Sequence, residues 1–251
     1  MTGRSTTPFI PRDRIAVAHT AADLAATASA WVVDGLRATL ARQPRAVWLA
    51  TAGRTPVPTY RHLVRRHRQA LDWGRVVVLQ MDDCPSLPPE LSFAAQLRRE
   101  LVEPLGARAH LMRGPQGEFD PSAYLAALPE IDVALHGIGR NGHVGFNEPG
   151  SDIAEWGEVR LARTTCEDMG VDMAATGFTL GLGRLARARR SLLVATGPSK
   201  RLAISRLLDT DAHCPASLLW PSGLSVLVDR QAAPHDLTVA KQLAARTPEP
   251  A

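Results

Sequence analysis

Seven short apolar runs, each a near-continuous block rather than an alternation, recur along the chain: RIAVAH (14–19), AVWLA (46–50), RVVVLQM (75–81), ARAHLM (107–112), IDVALHG (131–137), SLLVAT (191–196) and LSVLVD (224–229). Stretches with helical spacing separate them, at about 20–42, 56–71, 91–104, 121–128, 177–188, 198–208 and 235–245. Continuous apolar strands alternating with helices are what a parallel sheet demands, because the crossovers bury both of its faces. The expected architecture is therefore α/β, a doubly wound, mostly parallel sheet with helices on both sides. At 251 residues and 45% hydrophobic content the chain suffices for one such domain over 1–251, with its core at about 14–230. The Pro-rich DDCPSLPPE (82–90) and the segment 150–176 read as loops, and Pro248 and Pro250 as a frayed tail.

Several function classes are disfavoured. Cys84, Cys166 and Cys214 are odd in number and widely spaced, which suits neither a disulfide framework nor a zinc knuckle. With no secretory leader pattern and no apolar run of membrane-spanning length, a cytoplasmic protein without membrane partners is expected. The net charge of +4 rests almost wholly on arginine, since Lys200 and Lys241 are the two lysines. Its densest basic run, RHLVRRHRQ (61–69), is interrupted by Leu63 and Val64 as the buried stripe of an amphipathic helix would be. It lacks interleaved aromatics, so a solvated helix face is expected there rather than a nucleic-acid partner.

In an open parallel sheet, ligands gather where strands end and helices begin. Four such loops carry chemistry. Gly137 to Gly142 spells GxGxxG after a strand, a dinucleotide fingerprint on its face, but Gly145, Asn147, Pro149 and Gly150 follow where that motif requires a helix. A metal site fares no better, because His136, His143 and Glu148 lack helical ligand spacing and no cysteine joins them. A His and a carboxylate five residues apart in a glycine-rich loop suit proton transfer instead, the carboxylate favouring the imidazolium and fixing the tautomer.

The loop LATAGRTPVPTY (49–60) enters a helix with Thr55 as candidate N-cap and Pro56 at its first position, leaving backbone N–H groups and Arg54 as an anion cradle. It lacks the nucleotide-hydrolysing P-loop pattern, so a small phosphate ester is the expected guest. In QMDDCPSL (80–87), strand alternation sends Asp82 and Asp83 to opposite sides, one towards the cleft and one to local bonds. ATGPSKRLAI (195–204) places Lys200 in the first turn of a helix, where a cation is disfavoured unless an anion sits beside it.

Taken together, GIGRNGHVGFNEPGS (137–151), LATAGRTPVPTY, MDD, TGPSK and CPASLL (214–219) resemble the hallmarks of the glucosamine-6-phosphate deaminase and galactosamine-6-phosphate isomerase family, in the family's order over roughly 14–230. NEP after the GH dipeptide is the most specific part, since the sister 6-phosphogluconolactonases share GxGxxGH and usually continue without it. The resemblance implies a Rossmann-like fold and aldose–ketose isomerisation with deamination of a hexosamine 6-phosphate, without metal or coenzyme. It assigns His143 to ring opening, Glu148 to orienting and charging it, and Asp82 to a proton shuttle between C2 and C1. Thr51, Ala52, Gly53, Arg54, Thr55 and Lys200 would hold the phosphate, with Asp83, His136, Gly137 and Gly139 lining the sugar.

Three positions depart from the family pattern. Asn141 stands where Asp is usual, removing a negative charge that would stabilise the imidazolium. A phosphate-binding arginine is missing near Cys166. Glu158 replaces a basic residue of the regulated members. Two alternatives remain at this level: a sugar-phosphate sensor without turnover, and a lactone hydrolase in which Asp82 has little to do. A homo-oligomer is possible, because interface residues leave no signature separable from core.

Overall fold

The computed structural model describes residues 14–114, 116–235 and 237. Each of the seven apolar runs forms a strand of one sheet: β1 (Ile15–Ala18), β2 (Ala46–Ala50), β3 (Val76–Gln80), then, beyond a two-residue strand β4 (Asp82–Asp83), β5 (Arg108–His110) and β6 (Val133–His136). The other two are β9 (Arg190–Ala195) and β10 (Ser225–Asp229), after a hairpin of β7 (Trp156–Arg160) and β8 (Thr176–Leu180). The spatial order is β1-β10-β9-β6-β2-β3-β5, and every neighbouring pair is parallel.

Successive side chains of a strand point to opposite faces, so each apolar run feeds two cores at once. Trp48, Val78, Leu135 and Val194 meet helices α1 (Ala21–Leu40) and α2 (Val57–His67) through Val32, Leu36, Tyr60 and Leu63. Leu49, Leu79, Ala134 and Leu193 meet α5 (Pro121–Ala126), α7 (Leu182–Ala186) and α8 (Arg201–Leu208) through Tyr124, Leu185 and Leu207. Both faces are thus covered, and truncating a fully buried anchor such as Trp48 or Leu207 to alanine would cost about 2–5 kcal/mol. The basic run lies on α2, where Leu63 is fully buried. Among the described residues no helix is long and apolar enough to cross a membrane.

The expected helix at 91–104 is built in three pieces, α3 (Phe93–Leu97), a π-turn (Arg98–Val102) and α4 (Glu103–Leu105). Pro104 explains the break: it has no N–H to donate, and the ladder widens so that the Glu103 N–H reaches the Arg98 carbonyl.

Two expectations are overturned. The segment 150–176, read as loop, contains β7 and a helix, α6 (Arg163–Met169), and the helix expected at 177–188 is replaced by β8 followed by the five-residue α7. Glycines at 177, 181 and 183 oppose helix there, while Thr176, Phe178 and Thr179 favour a strand. The strands β4, β8 and β7 pair antiparallel into a second, small sheet beside the carboxyl edge of the first. Asp82 and Asp83, also read as loop, belong to it. Glu158 lies on β7 with its side chain exposed. Most of the helix expected at 235–245, and the tail carrying Pro248 and Pro250, lie outside the described residues.

Candidate active site

β2 and β6 are neighbours, but the chain leaves β2 towards β3 on one side, whereas β6 leads on to β9 on the other. The connections therefore part above these two strands, leaving a crevice at their carboxyl ends. A cleft of about 690 Å³ occupies that place, walled by the loops after β2, β3, β6 and β9 and by α6. Thr51 to Thr55, Asp82, Gly137, Gly139, His143 and Lys200 all line it.

At one end His143 lies over the backbone of Gly139. A Cβ at residue 139 would come within 2.3 Å of the imidazole carbon Cε1, so glycine there is what admits the ring. Gly142 has φ +93°, and the loop behind it is braced by the Cys214 segment, whose Ala216 N–H donates to the Gly142 carbonyl at 3.1 Å. Asn147 pins the loop to the small sheet, donating to the carbonyls of Val144 at 2.8 Å and Leu180 at 2.9 Å. Glu148, buried behind the imidazole, gathers four donors or near neighbours: Thr165 Oγ1 at 2.5 Å, Asn141 Nδ2 at 2.7 Å, the Ala162 N–H at 3.2 Å and His143 Nδ1 at 3.3 Å.

The hydrogen bonds assign the tautomer. Thr165 has one hydroxyl hydrogen and gives it to Glu148, so its oxygen can only accept from His143 Nδ1, at 3.1 Å. The proton of the neutral ring therefore sits on Nδ1, and Nε2 is the free base. Burial alone would raise the Glu148 carboxyl, but the bonds from His143, Thr165 and Asn141 outweigh it and hold it below the usual range. Asn141 acts on this carboxylate and also accepts the His143 backbone N–H, at 3.2 Å. An aspartate there would forfeit the donor and set one carboxylate against another.

Asp82 and Asp83 are adjacent, buried and differently treated. Asp83 receives the Arg113 guanidinium at 3.2 Å and the Cys84 N–H at 2.8 Å, and it does not reach the cleft. The expectation that Asp83 binds substrate gives way to a structural role, the buried Arg113 being held in turn by carbonyls of Cys84 and Leu87. Asp82 lines the cleft and makes no ion pair among the described residues. Burial, aided by the negative charge of Asp83, pushes its carboxyl up to about 8. His136 is likewise withdrawn from the cleft. It is fully buried in β6, with Nε2 3.4 Å from Ser191 Oγ, and burial pushes it down to about 4, keeping it neutral.

The cationic wall differs in detail from its expected form. The capping position of α2 is Pro56 rather than Thr55, and no side chain caps it. The Gly53 N–H, expected to be free for an anion, is taken by Gln96, whose amide holds both the N–H (3.0 Å) and the carbonyl (2.7 Å) of that glycine. Asp229 pins the opposing loop by accepting the Gly197 N–H at 3.1 Å. Arg54 and Lys200 remain as cations on the cleft. Three residues passed over in the sequence also line it: Thr165, Arg140 and Asp168. Thr165 and Asp168 sit on α6, whose one clear signal is Gly170, the left-handed residue (φ +69°) that ends it. Among the described residues no group of three or more His, Cys, Asp or Glu is placed to hold a metal ion.

A parallel α/β sheet whose switch-point cleft carries an imidazole backed by a carboxylate, a second carboxylate and the cations Arg54 and Lys200 has the makings of an acid–base enzyme for a small anionic substrate. Comparison narrows it: residues 19–228 match the family model of glucosamine-6-phosphate isomerases/6-phosphogluconolactonase, and the chain belongs to that family of enzymes. It is 33% identical to a glucosamine-6-phosphate deaminase of Streptomyces avermitilis, over 83% of this chain and 88% of the relative. It is equally 33% identical to one from Corynebacterium aurimucosum, over 87% and 92%. Among solved structures, a monomeric glucosamine-6-phosphate deaminase superposes with a TM-score of 0.76 at 26% identity, covering 87% of this chain and 98% of its own. The 6-phosphogluconolactonase of Trypanosoma brucei shares the fold, with a TM-score of 0.69 at 22% identity over 87% and 96%.

Proposed function

We propose that this enzyme converts a hexosamine 6-phosphate, glucosamine 6-phosphate or an epimer, into a ketose 6-phosphate and ammonia by acid–base catalysis without a metal. His143 transfers the proton at the ring oxygen that opens the pyranose, with Thr165 and Glu148 fixing its tautomer and orientation. Asp82, ionised, takes the C2 proton of the open aldose to give an enolamine and returns a proton to C1. Water then adds to the resulting C2 imine and ammonia leaves, so that one water is consumed per ammonia released. The phosphate lies against the Thr51–Thr55 loop, Arg54 and Lys200, beside the start of α8.

The observation that carries this reading is that two buried carboxylates flank the cleft in different states, Asp82 on its wall with its carboxyl pushed up to about 8 and Glu148 held charged behind the His143 ring. Lactone hydrolysis needs no second base for a carbon acid, whereas moving a proton from C2 to C1 does. The deaminase relatives support the same substrate class. Three free, buried cysteines support a reducing, cytoplasmic setting. Incubation with glucosamine 6-phosphate and galactosamine 6-phosphate should release ammonium in step with ketose phosphate; absence of turnover with either overturns the proposal.

A further inference from the structure

One charged residue of the catalytic loop has no part in the chemistry above. Arg140 lies between Gly139 and Asn141 and lines the cleft, and its guanidinium turns towards α6. It grips both oxygens of Asp168, Nε at 3.0 Å from Oδ2 and Nη2 at 2.9 Å from Oδ1, with Glu167 at 3.8 Å. Glu167 is itself held by Arg163 at 2.9 Å. Asp168 also lines the cleft. Lys200 senses the group: burial lowers its ammonium, Asp168 opposes that, and Arg140 and Arg54 add to it. Three cations and one carboxylate thus line the one cleft, with Arg140, Arg54 and Asp168 near enough to act on Lys200, and the carboxylate is the group that does not belong in an anion site.

We propose that Arg140 is a further cation of the phosphate subsite and that Asp168 is its internal competitor, holding the guanidinium until a phosphate dianion takes its place. The inference rests on reading the Arg54 and Lys200 wall as that subsite. A carboxylate and a phosphate present the same two-oxygen edge to a guanidinium, so the exchange needs no new geometry. Half-exposed, the Arg140–Asp168 pair is weak enough to give way to a doubly charged ligand. Arg140 precedes His143 by three residues in one loop, so its capture by the phosphate bears on the base that opens the ring. Asp168 in turn lowers affinity for every anion that does not displace it, which favours the dianion over singly charged competitors.

The two partners of one ion pair should then act in opposite directions, which a merely structural pair would not do. The probe is inorganic phosphate, its Kd measured by calorimetry on the full chain, with Tm recorded for each variant. Arg140→Gln should weaken phosphate about tenfold and Asp168→Asn should tighten it about threefold, as expected for gain and loss of a charge-assisted contact. Lys200→Gln serves as the control for the subsite itself. If it weakens phosphate while Arg140→Gln does not, or if Arg140→Gln and Asp168→Asn shift Kd the same way, the inference is overturned and the subsite stands. If the parent protein binds no phosphate, or Lys200→Gln leaves Kd unchanged, the subsite reading falls and the inference with it.

Discussion

Two buried carboxylates flank the cleft in opposite surroundings, Asp82 on its wall and Glu148 behind the His143 ring. Glu148 is buried among donors, from Thr165, Asn141, Ala162 and His143, and is held charged. Asp82 is buried with no ion-pair partner among the described residues, next to a second negative charge, and its carboxyl is pushed up to about 8. In the proposed mechanism the same functional group thereby takes two duties, a fixed charge that steers an imidazole and a base strong enough to approach a carbon acid. Burial alone does not divide them; the donors do.

The comparison can be broken at several points. The largest effect is expected from His143→Gln, which should lower kcat/KM for ammonium release by about three orders of magnitude by removing the acid–base ring while keeping its volume. Asp82→Asn should cost about two to three orders and abolish exchange of the C2 proton with deuterated solvent, whereas a hydrolytic lactonase mechanism would leave this variant nearly active. In the parent enzyme kcat/KM should rise with pH along a limb centred near 8, where Asp82 ionises.

The same group predicts a stability signature. Its carboxyl titrates at 3.8 in the ordinary state and at about 8 in the fold, so between those values the native protein holds a proton that the unfolded chain has lost. Asp82 therefore stabilises the fold less and less as pH rises through that window. The Tm advantage of Asp82→Asn over the parent should grow from pH 5 to pH 8.5, and an advantage that shrinks would contradict the assignment.

Thr165→Val tests the other carboxylate. Losing the hydroxyl removes one donor to Glu148 and the acceptor that fixes the His143 tautomer, and should lower kcat about tenfold with little change in KM. The smallest effect is expected from Asn141→Asp. A second carboxylate against Glu148 should lower Tm by about 2–4 °C at pH 7, and by less at pH 4, where one of the pair is protonated.

The two sheets differ in how far the sequence revealed them. The five inner strands of the large sheet are buried on both faces, so each is a bare apolar run such as VVVLQ or SLLVA that announces itself, while the edge strands β1 and β5 are partly exposed. The small sheet has one wet side, and WGEVR and TGFTL show only a few apolar letters broken by glycine. Its helix α6 is seven residues long, without a side-chain cap, and its apolar periodicity has no room to develop. Thr165 and Asp168 therefore carry no signal of their own in the sequence, whereas Asp82, His143, Glu148 and Lys200 fall at or just beyond strand ends, where ligands gather. Residues such as Asp83 and His136 look chemically loaded in a sequence, and only the structure shows that the charge of Asp83 is spent on Arg113 and that His136 is enclosed within the sheet.

Gly139 carries a consequence of another kind. An added methyl group there would run first into the imidazole of His143, the far end of a side chain that can swing aside. The folded framework would survive such a change and the position of the ring would not. Every coding change reachable from a glycine codon by one nucleotide adds at least that methyl, so in a library selected for turnover this position should tolerate synonymous changes alone. In a library sorted merely for soluble expression it should vary freely. Few sites in the chain would separate so cleanly what heredity must keep for shape from what it must keep for work.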